Sequence, residues 1–217
     1  STVIKNEHIK EATFRVIVGP EKRSRVMTDY DKKITAYHEA GHAIAVKIAS
    51  KNQKVDRISI IPAGMAGGYT ASRPDEDTSY MTKSQLIADI VVDLGGKAAE
   101  EIIMGEVSTG ASSDLQKANA IAMNMVTKYG MSDVVGNRIV DQGGDEVFIG
   151  REYGHRSSVS ESLSAVIDSE VKKIIDGAYE EAKRILTENI DKLHRVAELL
   201  IAQEKIEGDE FDAIMTE

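Results

Sequence analysis

Residues 36–45 read AYHEAGHAIA. They place His38 and His42 four positions apart, with Glu39 directly after the first histidine. Upstream, Thr28 and Asp31 form a helix-opening pair, and Asp29 and Asp31 suit the positive end of a helix. Ile34, Tyr37, Ala40, Ile44 and Ile48 then recur at helical intervals, so the spacing predicts a helix running to about residue 49. On such a helix two imidazoles four apart share a face, with Cβ atoms about 5–6 Å apart. They can converge on one cation, and zinc suits them at about 2.0–2.1 Å. Glu39 projects beside that cation rather than onto it. There it can take the proton of an attacking water while the ion acts as Lewis acid. Gly41 costs a helix about 1 kcal/mol relative to alanine. We read Ala40 and Gly41 as room left around the metal.

A catalytic zinc needs a third protein ligand and one open position. The other histidines are His8, His155 and His194. His8 falls in an appended helix, His155 in a long glycine-rich loop, and His194 on a helix where we expect it to face solvent. The extended motif with a third histidine six residues on is excluded, because Ala45 and Ile48 occupy its glycine and histidine positions. Carboxylates remain. Glu100 and Glu101 lie on a long helical stretch. Asp114 follows EVSTGASS, which is small and almost uncharged, and opens another helix. Asp114 also fits a plain role as an acid at a helix N-terminus. Spacing alone leaves Glu100 and Asp114 both open as the third ligand.

Composition narrows the classes. The 217 residues suffice for one sizeable core or one core with a small appendage. The chain is 41% hydrophobic and 29% charged, as soluble globular chains are, and it lacks tryptophan, so aliphatic side chains must build the core. A net charge of −9 argues against nucleic acid as partner. The absence of cysteine excludes disulfides and thiolate metal sites. No apolar run approaches the roughly 20 residues that cross a bilayer, and no signal peptide is visible. The chain starts with Ser1, so we expect a piece of a longer protein.

The remaining segments give a mainly α chain with one small β element. Residues 6–18 read as a short helix, with Asn6 as N-cap and Gly19-Pro20 as the stop. VDRISII (55–61) and YTAS (69–72), joined through AGMAGG, predict a hairpin. Thr82 and Gln85 open a long helix to Gly105, whose interior Gly95-Gly96 predicts close packing of another backbone or a kink. A helix from Asp114 ends at Gly130. Residues 131–156 read as a long mobile loop. Ser158 and Glu161 cap a helix of nearly thirty residues that bends near Asn189, and a last short helix follows Gly208.

Three stretches in this order, HEAGHA (38–43), LGGKAAEEIIMGEVSTGASSDLQKA (94–118) and YGMSD (129–133), resemble the peptidase domain of FtsH-type, membrane-anchored AAA metalloproteases. VIVGPEKRSR (16–25) resembles the junction between the ATPase and peptidase domains of that family. The resemblance implies a helical metallopeptidase domain at 19–217 and the end of an ATPase lid at 1–18. It implies one zinc per chain held by His38, His42 and Asp114, with Glu39 as general base and Glu100 near the site in a supporting role. It also implies an ATP-driven homo-hexamer that cuts unfolded polypeptides at the cytoplasmic face of a membrane, anchored by N-terminal segments absent from this soluble piece. No G-x-x-x-x-G-K-S/T stretch occurs, so ATP belongs to the missing part. Lys97 and Ser113 stand where the family often has arginine and asparagine, and neither is a proposed ligand.

Under this reading the hairpin offers a strand edge to an extended substrate through sequence-blind backbone hydrogen bonds. Gly67, Gly68, Tyr69 and Thr70 are the candidate edge; a plain surface hairpin is the alternative. Two other functions fit the residues less fully. One is a different HExxH metallohydrolase acting on a small molecule or modified peptide. The other is a non-catalytic helical oligomerisation module, which the long C-terminal helix favours.

Overall fold

A computed structural model describes residues 3–17, 19–22, 27–64, 66–75, 79–140 and 160–216. In chain order it contains α1 (Asn6–Ile17), α2 (Asp29–Ala49), β1 (Gln53–Ser59), β2 (Tyr69–Pro74), α3 (Lys83–Met104), α4 (Ser112–Thr127), α5 (Glu161–Glu188), α6 (Ile190–Gln203), β3 (Lys205–Glu207) and α7 (Gly208–Thr216). The mainly α class is as expected.

The helix ends follow local chemistry. Thr28 Oγ1 accepts the Asp31 amide at 3.1 Å and opens α2. Thr82 and Gln85 form a reciprocal capping box on α3, and Gly105 ends that helix at φ +73°. Three expectations shift. Asn6 is the first helical residue of α1 rather than its cap, and the Lys5 amide ahead of it donates to His8 Nδ1. Ser160, not Ser158, caps α5 by accepting the Leu163 amide; Ser158 lies outside the described residues. The bend near Asn189 is a full break between α5 and α6, where the Asn189 side chain donates to the Ile185 carbonyl.

β1 and β2 pair antiparallel as expected, with Ile58 opposite Thr70 and Ser59 opposite Tyr69. The structure adds β3, which pairs antiparallel with the other side of β1 and sets the order β2-β1-β3. Its three residues, KIE, hold only one apolar side chain, so no alternation was there to read. The glycine-rich stretch from residue 131 is also firmer than expected over its described part. The Met131 amide donates to the Met125 carbonyl and the Val140 amide to the Thr127 carbonyl. Ser132 Oγ donates to Glu170 on α5. Residues 141–156 of that stretch, His155 among them, lie outside the described residues.

The core centres on α2 and α3, flanked by α4, α5 and α6. Ile44, Ile90, Leu94, Met125, Leu186 and Leu200 are fully buried there. Two glycines set the α2–α3 distance. A Cβ on Gly41 would stand 2.5 Å from the Gly95 carbonyl oxygen, and one on Gly95 would stand 2.8 Å from the Gly41 carbonyl oxygen. Gly41 therefore serves helix contact, not room around a metal. α3 runs unbroken through Gly95-Gly96, so that pair serves close approach and not a kink. Among the described residues no helix is long and apolar enough to cross a membrane.

This packing gives glycine-to-alanine changes opposite signs. At Gly41 the overpacking cost of about 1–3 kcal/mol exceeds the helix gain of about 1 kcal/mol, so Gly41→Ala lowers stability. On α5 a Cβ at Gly177 meets nothing within 4 Å. Gly177→Ala raises stability by about 0.5–1 kcal/mol. Denaturant unfolding of the two variants checks both signs.

Candidate metal centre and active site

Because α2 is regular through the motif, His38 and His42 lie one turn apart on the same side. Their Nε2 atoms are 3.0 Å apart. The start of α4 brings Asp114 Oδ2 to 3.3 Å from His38 Nε2 and 3.5 Å from His42 Nε2. Ligand atoms bound tetrahedrally to zinc at about 2.0–2.1 Å are about 3.3–3.4 Å from each other. The three atoms thus already lie at the corners of such a tetrahedron, with one corner left over.

Hydrogen bonds on the far side of each ring fix where the lone pairs point. His42 Nδ1 lies 2.7 Å from the Val92 carbonyl oxygen on α3. A carbonyl only accepts, so Nδ1 carries the proton and the Nε2 lone pair of the neutral ring points inward. His38 Nδ1 lies 2.7 Å from Glu100 Oε1, which fixes its tautomer in the same way. Two imidazole lone pairs and a carboxylate oxygen therefore face one point in a mostly buried site. A positive charge at that point reconciles them, and the donor set of two nitrogens and one oxygen suits zinc.

Without a metal, a proton on His38 meets the same demand for positive charge. Burial works against a charged His38 ring, yet hydrogen bonds to Asp114 and Glu100 outweigh it and raise the pKa to about 10. Burial also works against the Asp114 carboxylate, but His38 and His42 hold it well below the usual carboxylate range. The pocket favours positive charge at its centre.

Glu100 has two jobs in this frame. It takes His38 on Oε1, and it accepts the Ser108 amide at 2.5 Å and the Ser108 hydroxyl at 3.1 Å. Ser108 in turn accepts the Gly110 amide and caps the short 3-10 turn that leads into α4. One buried carboxylate thus orients a histidine and anchors the loop that delivers Asp114. Glu100 sits on the outer nitrogen of His38, not among the converging atoms. Lys117 Nζ lies 3.1 Å from Asp114 Oδ1, which leaves Oδ2 for the histidines.

Glu39 is 6% exposed and borders the same groove. Its Oε2 accepts the Thr70 hydroxyl at 2.8 Å. The groove, about 1090 Å³, runs past His38, Glu39, His42 and Asp114 and along Gly67, Gly68, Tyr69 and Thr70. The candidate substrate edge therefore lies beside the candidate metal centre. Asp93 lines the groove too, and burial pushes its carboxyl up to about 6 against the pull of Lys117 and His42.

The remaining sequence candidates fall elsewhere. His194 is half-buried rather than solvent-facing, with Nδ1 2.8 Å from the Tyr37 hydroxyl. Glu101 pairs with Tyr179 and Lys183 on α5. Sequence reasoning missed Val92, whose role is a backbone carbonyl and leaves no side-chain signal. It missed Ser108, for which the small-residue loop was a faint one. It also missed the role of Gly96, where a Cβ would stand 2.6 Å from Nε2 of both histidines; the Gly95-Gly96 pair was the available clue.

The sequence pattern of peptidase family M41 matches residues 25–214. The ATP-dependent zinc metalloprotease FtsH of Ruminiclostridium cellulolyticum is 64% identical over 211 residues, covering 97% of this chain and 34% of that protein. ATP-dependent zinc metalloprotease FtsH 1 of Thermoanaerobacter sp. is 49% identical over 206 residues, covering 95% and 34%. The FtsH of Caldicellulosiruptor bescii is 49% identical over 214 residues, covering 99% and 35%. The chain thus spans about a third of the length of these relatives. With the HEAGH turn of α2 inside the matched region, the chain belongs to peptidase family M41.

Proposed function

We propose that this chain is the zinc endopeptidase part of a longer, ATP-driven protease and hydrolyses unfolded or loosely folded polypeptides. The observation that carries the reading is the convergence of His38 Nε2, His42 Nε2 and Asp114 Oδ2 beside Glu39 in an open groove. His38, His42 and Asp114 hold the ion, and Glu100 orients His38 from behind. Zinc, when bound, supplies a Lewis acid for the scissile carbonyl and for the attacking water. Glu39 takes the proton of that water and passes it to the leaving amine nitrogen.

The substrate lies along β2, the terminal strand of the order β2-β1-β3. A Cβ at Gly67 would meet nothing within 4 Å, so an extended backbone can come close there. Gly68 faces the other way, onto Ser59 and Glu39, and its bareness serves the fit of strand against helix. Pairing through the backbone suits substrates that share no sequence, as unfolded chains do.

The names of the relatives, ATP-dependent zinc metalloproteases, support the ATP-driven and zinc-dependent part of a wider frame. In it, residues 1–18 close a preceding ATPase lid, residues 19–217 form the peptidase, and the assembly is a homo-hexamer. Membrane anchoring and ATP binding belong to the rest of the protein, with the peptidase on the cytoplasmic face.

Elemental analysis paired with chelator-sensitive cleavage of denatured casein tests the reading. One zinc per chain and cuts at many sites are expected; a fully loaded protein inert towards unfolded chains rejects it. Glu39→Gln keeps zinc and lowers the cleavage rate by about 10²–10⁴-fold. Asp114→Ala drops zinc content sharply, while Glu100→Gln weakens zinc affinity by about 10–100-fold without abolishing it. The reverse order would make Glu100 the ligand. Gly96→Ala keeps the helical circular dichroism but loses zinc, because its methyl group takes the space of the ring nitrogens.

A further inference from the structure

Glu39 is placed by α2, but a glutamate carboxylate on a helix still turns about its own side-chain bonds. A general base works only if its oxygen stays within hydrogen-bond reach of the proton it takes. Among the described residues, Thr70 is the one side chain that hydrogen-bonds the Glu39 carboxylate, at 2.8 Å to Oε2. The same hydroxyl lies 3.0 Å from the Glu39 carbonyl oxygen, so its single proton is shared between two acceptors of one residue. From the side, the backbone of Gly68 closes on the other oxygen: a Cβ there would stand 3.0 Å from Oε1. The carboxylate is thus bracketed by two residues of the same short stretch of chain.

That stretch is itself well fixed. Thr70 is the antiparallel partner of Ile58, whose side chain is fully buried. Its neighbour Tyr69 pairs with Ser59, also fully buried. The hydroxyl that meets Glu39 is therefore held by the strand register and not by a loop.

We propose that Thr70 is a positioning residue for the general base, tying the Glu39 carboxylate to the strand on which the substrate lies. This rests on the peptidase reading and revises one part of it. The backbone of β2 serves the substrate, and the Thr70 side chain serves the enzyme. An extended peptide paired with β2 has its register set by that strand. The base is set by the same strand one hydrogen bond away. Substrate carbonyl and base then share a frame of reference, as near-attack geometry requires.

The test uses the intact, zinc-loaded protein and labelled denatured casein. Thr70→Val keeps the shape and removes the donor; Thr70→Ser keeps the donor and removes a methyl group. Thr70→Val should lower kcat by about 10–100-fold with KM changed by less than about twofold, the pattern of a lost transition-state interaction. Thr70→Ser should recover kcat to within about threefold of wild type. Zinc content should equal wild type in both. In the inactive Glu39→Gln background, adding Thr70→Val should leave casein binding by fluorescence anisotropy unchanged.

Wild-type kcat in Thr70→Val overturns the assignment. So does a rise in KM or weaker casein binding at unchanged kcat, which would make Thr70 a substrate contact. A Thr70→Ser variant as slow as Thr70→Val would make the role one of packing, and zinc loss in Thr70→Val would make it one of building the metal site. A wild-type protein that holds zinc but cuts nothing overturns the peptidase reading itself, whatever the variants do.

Discussion

The site depends on how closely two helices approach. Gly41 of α2 and Gly95 of α3 press carbonyl against Cα with no side chain between them. That contact brings one stripe of α3 to the histidine face of α2. Val92, Gly96 and Glu100 follow at intervals of four, so they lie one above another on that stripe. Each does a different thing to the same histidine pair. The Val92 carbonyl accepts a hydrogen bond from His42, Gly96 leaves space for both rings, and Glu100 accepts a hydrogen bond from His38. A wider helix spacing would lose all three together. The helix-propensity cost of the glycines, about 1 kcal/mol each, is offset by the burial and hydrogen bonding that the approach permits.

The second constraint is charge. Burying the carboxylates of Glu39, Glu100 and Asp114 within one neighbourhood is unfavourable unless each is compensated. Glu100 receives three hydrogen bonds, from His38, the Ser108 amide and the Ser108 hydroxyl. Glu39 receives the Thr70 hydroxyl. Asp114 has Lys117 on one oxygen and the histidines on the other. Among the described residues no buried side-chain nitrogen or oxygen lacks a partner. What is left over is the point shared by His38 Nε2, His42 Nε2 and Asp114 Oδ2, the candidate metal position.

The helical part of this was legible in the sequence because its signals are periodic or local. The caps at Thr28 and Thr82, the apolar stripe of α2 and the four-residue histidine spacing all act within a turn or two. The separation of Asp114 from Glu100 was not legible by spacing, because both are acids on helices near the motif in three dimensions but far from it in sequence. They differ in which nitrogen of His38 each one meets, a contact that only the fold creates. β3 and the Val92 carbonyl were invisible for a related reason. A three-residue strand and a backbone oxygen have no composition. Gly41 and Gly96 were visible as helix glycines, but the role of neither was. Gly41, inside the motif, reads as room for a metal but serves α3, whereas Gly96, outside the motif, leaves the space that both histidine rings fill.

The order in which the chain supplies its candidate ligands bears on stability. His38 and His42 come from one helix and need only local structure. Asp114 arrives 76 residues after His38, through a loop whose anchor, Ser108, is held by Glu100. An unfolded chain therefore offers an ion two imidazoles in passing but never the full set, so tight metal binding belongs to the folded state alone. By mass action an ion that binds only that state stabilises it by RT ln(1 + [L]/Kd), about 2.7 kcal/mol at a hundredfold excess over Kd. That energy would act on the contact between α2 and the start of α4, and through Glu100 on the α2–α3 approach. The glycine contact lets the helices meet, and an ion held by His38, His42 and Asp114 would keep the same joint from parting at its other end.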